Sequence, residues 1–316
     1  MVQRLSVGIP TYNRREQLRN QLQSLFRQDL SKVFEIIIVD NHSDYDIQSV
    51  INEFDSTKIR LIINPFNIKM ATNMMSPFLY CQTEWLWLLA DDDETLENSI
   101  EHILTETENS EPGTGMIKFS IGRHGSIQKD KTVKNLDEYI DYYYNETIIR
   151  RGDLVFISTN VYNINRLRDY LGYGFEFSYT YIGFLIPVII GLNDKKLSVT
   201  FSSKPIVKYI APREGWSLGT VGKGLSTLSH LPLNLSKEYK KKFLDCTMSI
   251  EYIHLIRAYL NSDKINYHQD FRIIYNNIYR YYLPFKSKII VTPFLFLMPI
   301  KLFKTITVNI LRLLRG

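Results

Sequence analysis

Cysteine is nearly absent. The only two, Cys81 and Cys246, lie far apart and match neither a metal-ligand spacing nor a disulfide framework. That excludes structural zinc and a disulfide scaffold, and it points to a reducing cytoplasm. A long apolar run is missing as well. The longest charge-free stretch, Phe177 to Asn193, contains Ser178, Thr180 and Pro187 and falls short of a bilayer span, so a buried helix is expected there. The N-terminus enters a strand pattern almost at once and leaves no room for the charged and apolar regions of a signal peptide. No internal repeat is found. Acids are lacking at the other end, where eight Lys or Arg residues follow Asp270 without one Asp or Glu.

What is present suffices for a packed core: 316 residues, 45% hydrophobic and 22% charged, the balance of an ordinary globular fold. Aromatics reach 13%, which suits stacking surfaces or a membrane-facing patch. Leu5, Val7 and Ile9 alternate and stop at Pro10, giving a short strand that ends in a loop. From Arg14, Leu18, Leu22, Leu25 and Phe26 recur at helical spacing, so Thr11, Tyr12 and Asn13 occupy a strand-to-helix turn. The run Phe34 to Val39 is continuously apolar at its end, the mark of a parallel strand covered on both faces, and Asp40 terminates it. A third strand is expected at Lys58 to Ile63. Met70, Met74, Phe78 and Cys81 mark a helix, and Trp85 to Ala90 a fourth strand. A helix bearing Leu96, Ile100 and Ile103 and a strand at Met116 to Ile121 follow. This alternation predicts an α/β domain with a mostly parallel sheet, whose ligand crevice lies beyond the carboxyl ends of its strands. Asp40 and the triplet Asp91, Asp92, Asp93 both fall there.

Three consecutive aspartates after an apolar strand repel one another and call for a reason. One is a hard divalent cation, Mn²⁺ or Mg²⁺, which takes carboxylate oxygens and bridges to phosphate. The other is an acidic helix N-terminus that complements the helix dipole. The residues alone leave both open.

Three segments occur in order around the triplet: Ser6-Val-Gly-Ile-Pro-Thr-Tyr-Asn-Arg14, Ile36-Ile-Ile-Val-Asp-Asn-His-Ser43 and Leu88-Leu-Ala-Asp-Asp-Asp-Glu94. Together they resemble glycosyltransferase family 2, of the bacterial surface-polysaccharide type. The resemblance covers roughly residues 3 to 100, includes Asn67-Ile-Lys-Met-Ala-Thr-Asn73, and fades beyond. It implies a GT-A fold, Rossmann-like, with a mostly parallel sheet flanked by helices and a helical C-terminal extension. It also implies a nucleotide site built from Pro10, Thr11, Tyr12, Asn13, Arg14, Asp40, Asn41 and Ser43, with Asp40 facing the base. Asp91 and Asp92 would lie toward the ribose, and Asp93, with Asp91, would hold the metal. Lys69 stands where the family usually has glycine; it either reaches the diphosphate or is a solvated surface lysine.

The resemblance further implies inversion: an acceptor hydroxyl attacks as the nucleoside diphosphate leaves, and a general base takes the hydroxyl proton. In relatives a Glu-Asp pair opening a helix supplies that base. Counted back from Gly191, the pair's positions hold Tyr179 and Thr180, so the sequence departs from the pattern. Glu176 is the first candidate base, with Asp194 and Glu214 behind it. The glycine-rich stretch Ala211 to Gly224 reads as a loop over the donor, where Arg213 or Lys223 would meet the diphosphate and Trp216 the acceptor sugar, or as a plain surface connection.

Three segments follow: 1–110, the nucleotide-sugar-binding half; 111–225, the acceptor half; and 226–316, a basic helical region. From Leu302, Phe303, Ile306, Ile310, Leu313 and Leu314 gather on one side, so residues 271–316 are expected to attach to an anionic membrane surface or, alternatively, to pack on the domain. The expected enzyme works in the cytoplasm on the inner face of the membrane, moving a sugar from a UDP-sugar to a glycan acceptor, lipid-linked, for O-antigen, capsule or lipooligosaccharide. The other class kept open is an inactive GT-A domain serving as a membrane-bound assembly partner. The overall charge of +5 is modest and no recognition module is visible, so nucleic acid is not a partner. A nucleotidyltransferase is set aside for want of its glycine-rich first turn, and a processive synthase for want of spanning helices and a Gln-x-x-Arg-Trp motif.

Overall fold

The computed structural model describes residues 4–121, 128–145, 151–208, 218–248 and 267–282, with isolated positions after them. It divides into two compact units, Met1–Arg213 and Glu214–Gly316. Segments 1–110 and 111–213 therefore share one unit, joined through one sheet.

In that unit, β1 (Leu5–Thr11), α1 (Arg15–Phe26), β2 (Val33–Asp40), α2 (Ile47–Ile51) and β3 (Ile59–Ile63) open the chain, followed by α3 (Met70–Asn73), α4 (Ser76–Tyr80) and β4 (Trp85–Leu88). Next come β5 (Glu94–Thr95), α5 (Ser99–Glu108), β6 (Thr114–Ile121), β7 (Lys131–Val133) and α6 (Leu136–Asn145). Then follow β8 (Asn160–Asn163), α7 (Ile164–Leu167), α8 (Leu171–Glu176), α9 (Ile186–Asn193) and β9 (Ser198–Lys208).

Among the described residues the sheet runs β3-β2-β1-β4-β8-β6-β9-β5, with β7 also on β9. Its first four strands are parallel, as the apolar runs predict. β8 then enters antiparallel between β4 and β6, while β6 and β9 are parallel. Ile36 to Val39 are fully buried: Ile36 and Ile38 share one apolar cluster with Leu18, Leu22 and Leu25 of α1, and α4 packs on β1 and β2. Gly8 admits that cover: a Cβ there would sit 2.6 Å from Pro77 Cβ.

The expected single helix over Met70 to Cys81 is two short helices. Pro77 lies at the start of the second, where its missing N–H costs nothing, but it would interrupt a continuous helix. The charge-free run after Phe177 contains the expected buried helix as α9, all of whose residues from Ile186 to Leu192 are buried. No helix among the described residues is long and apolar enough to cross a membrane. In the second unit α10 (Leu218–Ser226) packs on α12 (Tyr267–Ile274), with α11 (Lys237–Met248) between them in sequence.

Candidate active site

Parallel register places the carboxyl ends of β2, β1 and β4 side by side. Thr11 pairs with Asp40, and Gly8 with Leu88, three residues before Asp91. Backbone bonds extend the alignment past the strands: Asn41 N–H donates to Thr11 O at 2.9 Å and Leu89 N–H to Gly8 O at 2.9 Å. Residues far apart in sequence thus meet at one sheet edge, in the crevice where open parallel sheets bind ligands.

The triplet's three carboxylates have different partners. The Thr11 hydroxyl donates to Asp91 Oδ2 at 2.6 Å, and the Arg14 guanidinium reaches Asp91 Oδ1 at 3.0 Å and also pairs with Asp92. Asp93 accepts instead from the Ser158 hydroxyl at 2.6 Å. Asp91 and Asp93 are buried, 5% and 7% exposed, whereas Asp92 is partly open. Burial pushes the Asp91 carboxyl up to about 6 against the pull of Arg14 and Thr11. It pushes Asp93 up to about 7, with the Ser158 bond opposing and the neighbouring aspartates adding to the rise. Burial would lower the Arg14 guanidinium, but Asp91 and Asp92 outweigh it and hold its pKa above the ordinary value.

The acidic-helix-start alternative does not describe this arrangement: β5 follows the triplet, and α5 begins only at Ser99. What the aspartates share is a need for positive charge. Arg14 supplies it to two of them. Among the described residues no donor reaches the second oxygen of Asp93. Hard carboxylate oxygen is the donor that Mn²⁺ and Mg²⁺ prefer, completed by substrate phosphate, so the residues present fit such an ion.

The residues around Asp40 are equally cross-linked. Asp40, 2% exposed, accepts from the Ser43 backbone N–H at 3.1 Å and from the Ser43 hydroxyl. The Ser43 hydroxyl in turn accepts from Asn13 N–H at 2.8 Å, and Asn13 and Asp44 exchange two bonds of 2.8 and 2.7 Å. Pro10 is half-buried, and Tyr12 is 40% exposed at the mouth of this turn.

Sequence reasoning gave no role to the asparagines beneath. Asn73 Nδ2 donates to Val39 O at 3.2 Å and Thr11 O at 3.4 Å, while its Oδ1 accepts from Asn64 at 3.0 Å. Asn64 also donates to Asn41 Oδ1, which accepts from Ile68 N–H as well, at 3.2 and 2.9 Å. Their signal in the sequence was the segment Asn67 to Asn73. Lys69 is exposed, with φ 73° and ψ 155°, a conformation close to glycine-only, which accounts for the family's preference at that position.

Glu176 ends α8 and is exposed. Tyr179 is 50% exposed and Thr180 is fully buried, its hydroxyl donating to Phe177 O at 2.7 Å. Asp194 caps the far end of α9, and Lys223 lies in α10. Arg213, Glu214 and Trp216 lie outside the described residues, as does most of the basic tail.

Residues 6–125 match the family model described as Glycosyl transferase family 2. A GalNAc(5)-diNAcBac-PP-undecaprenol beta-1,3-glucosyltransferase of Campylobacter jejuni is 28% identical over 139 residues, which is 43% of this chain and 44% of that protein. The match thus spans less than half the length of the curated relative. S. aureus TarS 1-349 in complex with UDP-GlcNAc superimposes with a TM-score of 0.63 at 14% identity, covering 96% of this chain and 90% of that one. A mannosyltransferase from Pyrobaculum calidifontis in complex with GDP-Man and Mn²⁺ gives 0.51 at 13% identity, covering 96% and 83%. These likenesses show the α/β fold to be of the GT-A kind.

Proposed function

We infer that the chain belongs to glycosyltransferase family 2, whose model it matches over residues 6–125, and from that premise we propose that it transfers a sugar, with inversion, from a UDP-sugar to a lipid-linked glycan during assembly of a surface polysaccharide. The observation that carries this reading is the convergence of Thr11, Asp40 and the aspartate triplet on one sheet edge, tied together by the Thr11 to Asp91 bond. The curated relative's name contains an undecaprenol-linked glycan, and the structural neighbours bind UDP-GlcNAc or GDP-Man, which supports a nucleotide-sugar donor and a lipid-linked acceptor.

In this reading the turn of Pro10 to Arg14, Asn41 and Ser43 encloses the nucleoside, and Asp40 accepts from the base. Asp91 and Asp92 face the ribose. Asp93 and Asp91 hold Mn²⁺ or Mg²⁺, and Asp91, whose oxygens already serve Thr11 and Arg14, takes part by exchanging Arg14. When bound, the ion neutralises charge that develops on the departing diphosphate. Arg14, displaced from Asp91, turns its guanidinium toward a phosphate oxygen. Lys69, exposed, reaches the diphosphate in this reading. Glu176, as general base, takes the acceptor hydroxyl's proton.

The tail, residues 271–316, holds the enzyme against anionic lipid on the inner, cytoplasmic face of the membrane. Ile289, Leu297, Ile300 and Ile306 are exposed, which favours an apolar partner for them. A second reading, an inactive GT-A domain that anchors an assembly, draws on one observation: Tyr179 and Thr180 replace the usual carboxylates. Incubation of the protein with a panel of nucleotide sugars and Mn²⁺ tests both. Release of nucleoside diphosphate from at least one sugar supports the enzyme; release from none, with binding retained, supports the scaffold.

A further inference from the structure

Ser158 is buried completely, in the short turn Ile157–Thr159 that leads into β8. Its hydroxyl has no remaining freedom. The O–H is committed to Asp93 Oδ2 at 2.6 Å, and the oxygen accepts from Ala90 N–H at 2.9 Å, one residue before the triplet. The Ser158 carbonyl accepts from Trp87 Nε1 at 2.8 Å, and Trp87 is itself fully buried in β4. One serine therefore clasps the exit of β4 at Trp87, Ala90 and Asp93.

The turn that carries it is anchored in turn. Phe156 O accepts from Lys118 Nζ at 2.9 Å and Asn160 Nδ2 at 3.0 Å. A lysine 1% exposed is an expensive donor for a backbone carbonyl, and burial lowers its pKa to about 7. We infer that Ser158 is a positioning residue: it fixes the Asp93 carboxylate so that its other oxygen can receive the divalent ion, with Lys118 and Trp87 holding the serine in place. Ligating carboxylates in metal sites are commonly oriented by such hydrogen bonds, whose loss weakens metal binding about 10- to 100-fold. This rests on the metal-assisted reading above. The alternative, that Ser158 only stabilises a loop, predicts no dependence on Asp93.

The test is a double-mutant cycle on the full chain. Mn²⁺ is titrated into UDP-saturated wild type, Ser158→Ala, Asp93→Ala and the double variant, free Mn²⁺ is read from its electron paramagnetic resonance signal, and melting temperatures are recorded beside it. Ser158→Ala is expected to weaken Mn²⁺ about tenfold and to have no further effect once Asp93 is alanine. Metal-free UDP affinity should change less than about twofold. Equal Mn²⁺ affinity in Ser158→Ala and wild type overturns the inference, as does a loss of the same size in the Asp93→Ala background. Should Ser158→Ala fail to fold, Ser158→Cys keeps the volume and weakens the donor, and an unchanged Mn²⁺ affinity there overturns it equally. Wild type that binds no Mn²⁺ in the presence of UDP overturns the metal-assisted reading together with this one.

Discussion

Replacing Asn73 tests whether the proposed nucleotide site is held by side chains beneath the strand ends rather than by the strands alone. Asn73 is 3% exposed and makes three bonds: two as donor, to Val39 O and Thr11 O, and one as acceptor, from Asn64. At about 1 kcal/mol net for each bond lost, Asn73→Ala should cost about 2–3 kcal/mol. The two donated bonds are long, which lowers the figure. Thr11 O retains its bond from Asn41 N–H, and Asn64 retains Asn41 Oδ1, so few groups are left without a partner. Asn73→Asp is nearly isosteric yet should cost more, about 3–5 kcal/mol, because it turns a carboxylate oxygen against two carbonyl oxygens in a buried site. That carboxyl's folded pKa would lie above its unfolded value of about 3.9. Its extra cost therefore vanishes below about pH 4 and grows as pH rises toward the folded pKa. Urea unfolding at pH 4.5 and 7.5, followed by emission of Trp85 and Trp87 in β4, measures both variants. A loss below about 0.5 kcal/mol for Asn73→Ala, or an Asn73→Asp that matches it at both pH values, would refute the reasoning.

Three further expectations follow from the same geometry. Asp93→Asn should raise the stability of the metal-free protein at pH 8 by about 1–3 kcal/mol, because a carboxyl with a pKa near 7 is charged there at a cost; the gain should disappear near pH 4, where both side chains are neutral, and a thermal melt in chelator checks it. Lys69→Gly should stabilise by about 1 kcal/mol through relief of its backbone conformation while weakening UDP binding about fivefold if the ammonium reaches the diphosphate; calorimetry with UDP separates the two effects. Glu176→Gln should lower turnover at least about 100-fold and leave UDP affinity intact; near-normal turnover removes Glu176 from the mechanism.

The strands that carry the site were legible because their signals are local. Ile36 to Val39 form a run that only a doubly covered strand accommodates, and Asp40 ends its strand as expected, whereas β1 continues one residue past Pro10 to Thr11. The triplet was legible only as a run of like charges that needs compensating, because the residues alone left a divalent cation and a helix N-terminus both open, and the structure rules out the helix start. Ser158 was not legible: it lies 65 residues from Asp93, in a turn of common polar residues, and β8 brings it there by pairing antiparallel with β4. Nor was Arg14's partnership with Asp91 and Asp92, which spans 77 residues and depends on where α1 starts relative to β4. The break between α3 and α4 was misread because apolar spacing persists across Pro77 while the backbone bond it removes does not. The acceptor side gave least, since the resemblance fades beyond about residue 100 and the family model matches only residues 6–125.

The most direct measurement is a crystal structure of the protein with UDP and Mn²⁺, the ion located by its anomalous scattering. The account predicts the ion coordinated by an Asp93 oxygen and by diphosphate oxygens, with the uracil against Asp40. An ion and nucleotide bound elsewhere, with Asp91 to Asp93 still engaged only by Thr11, Arg14 and Ser158, would contradict it.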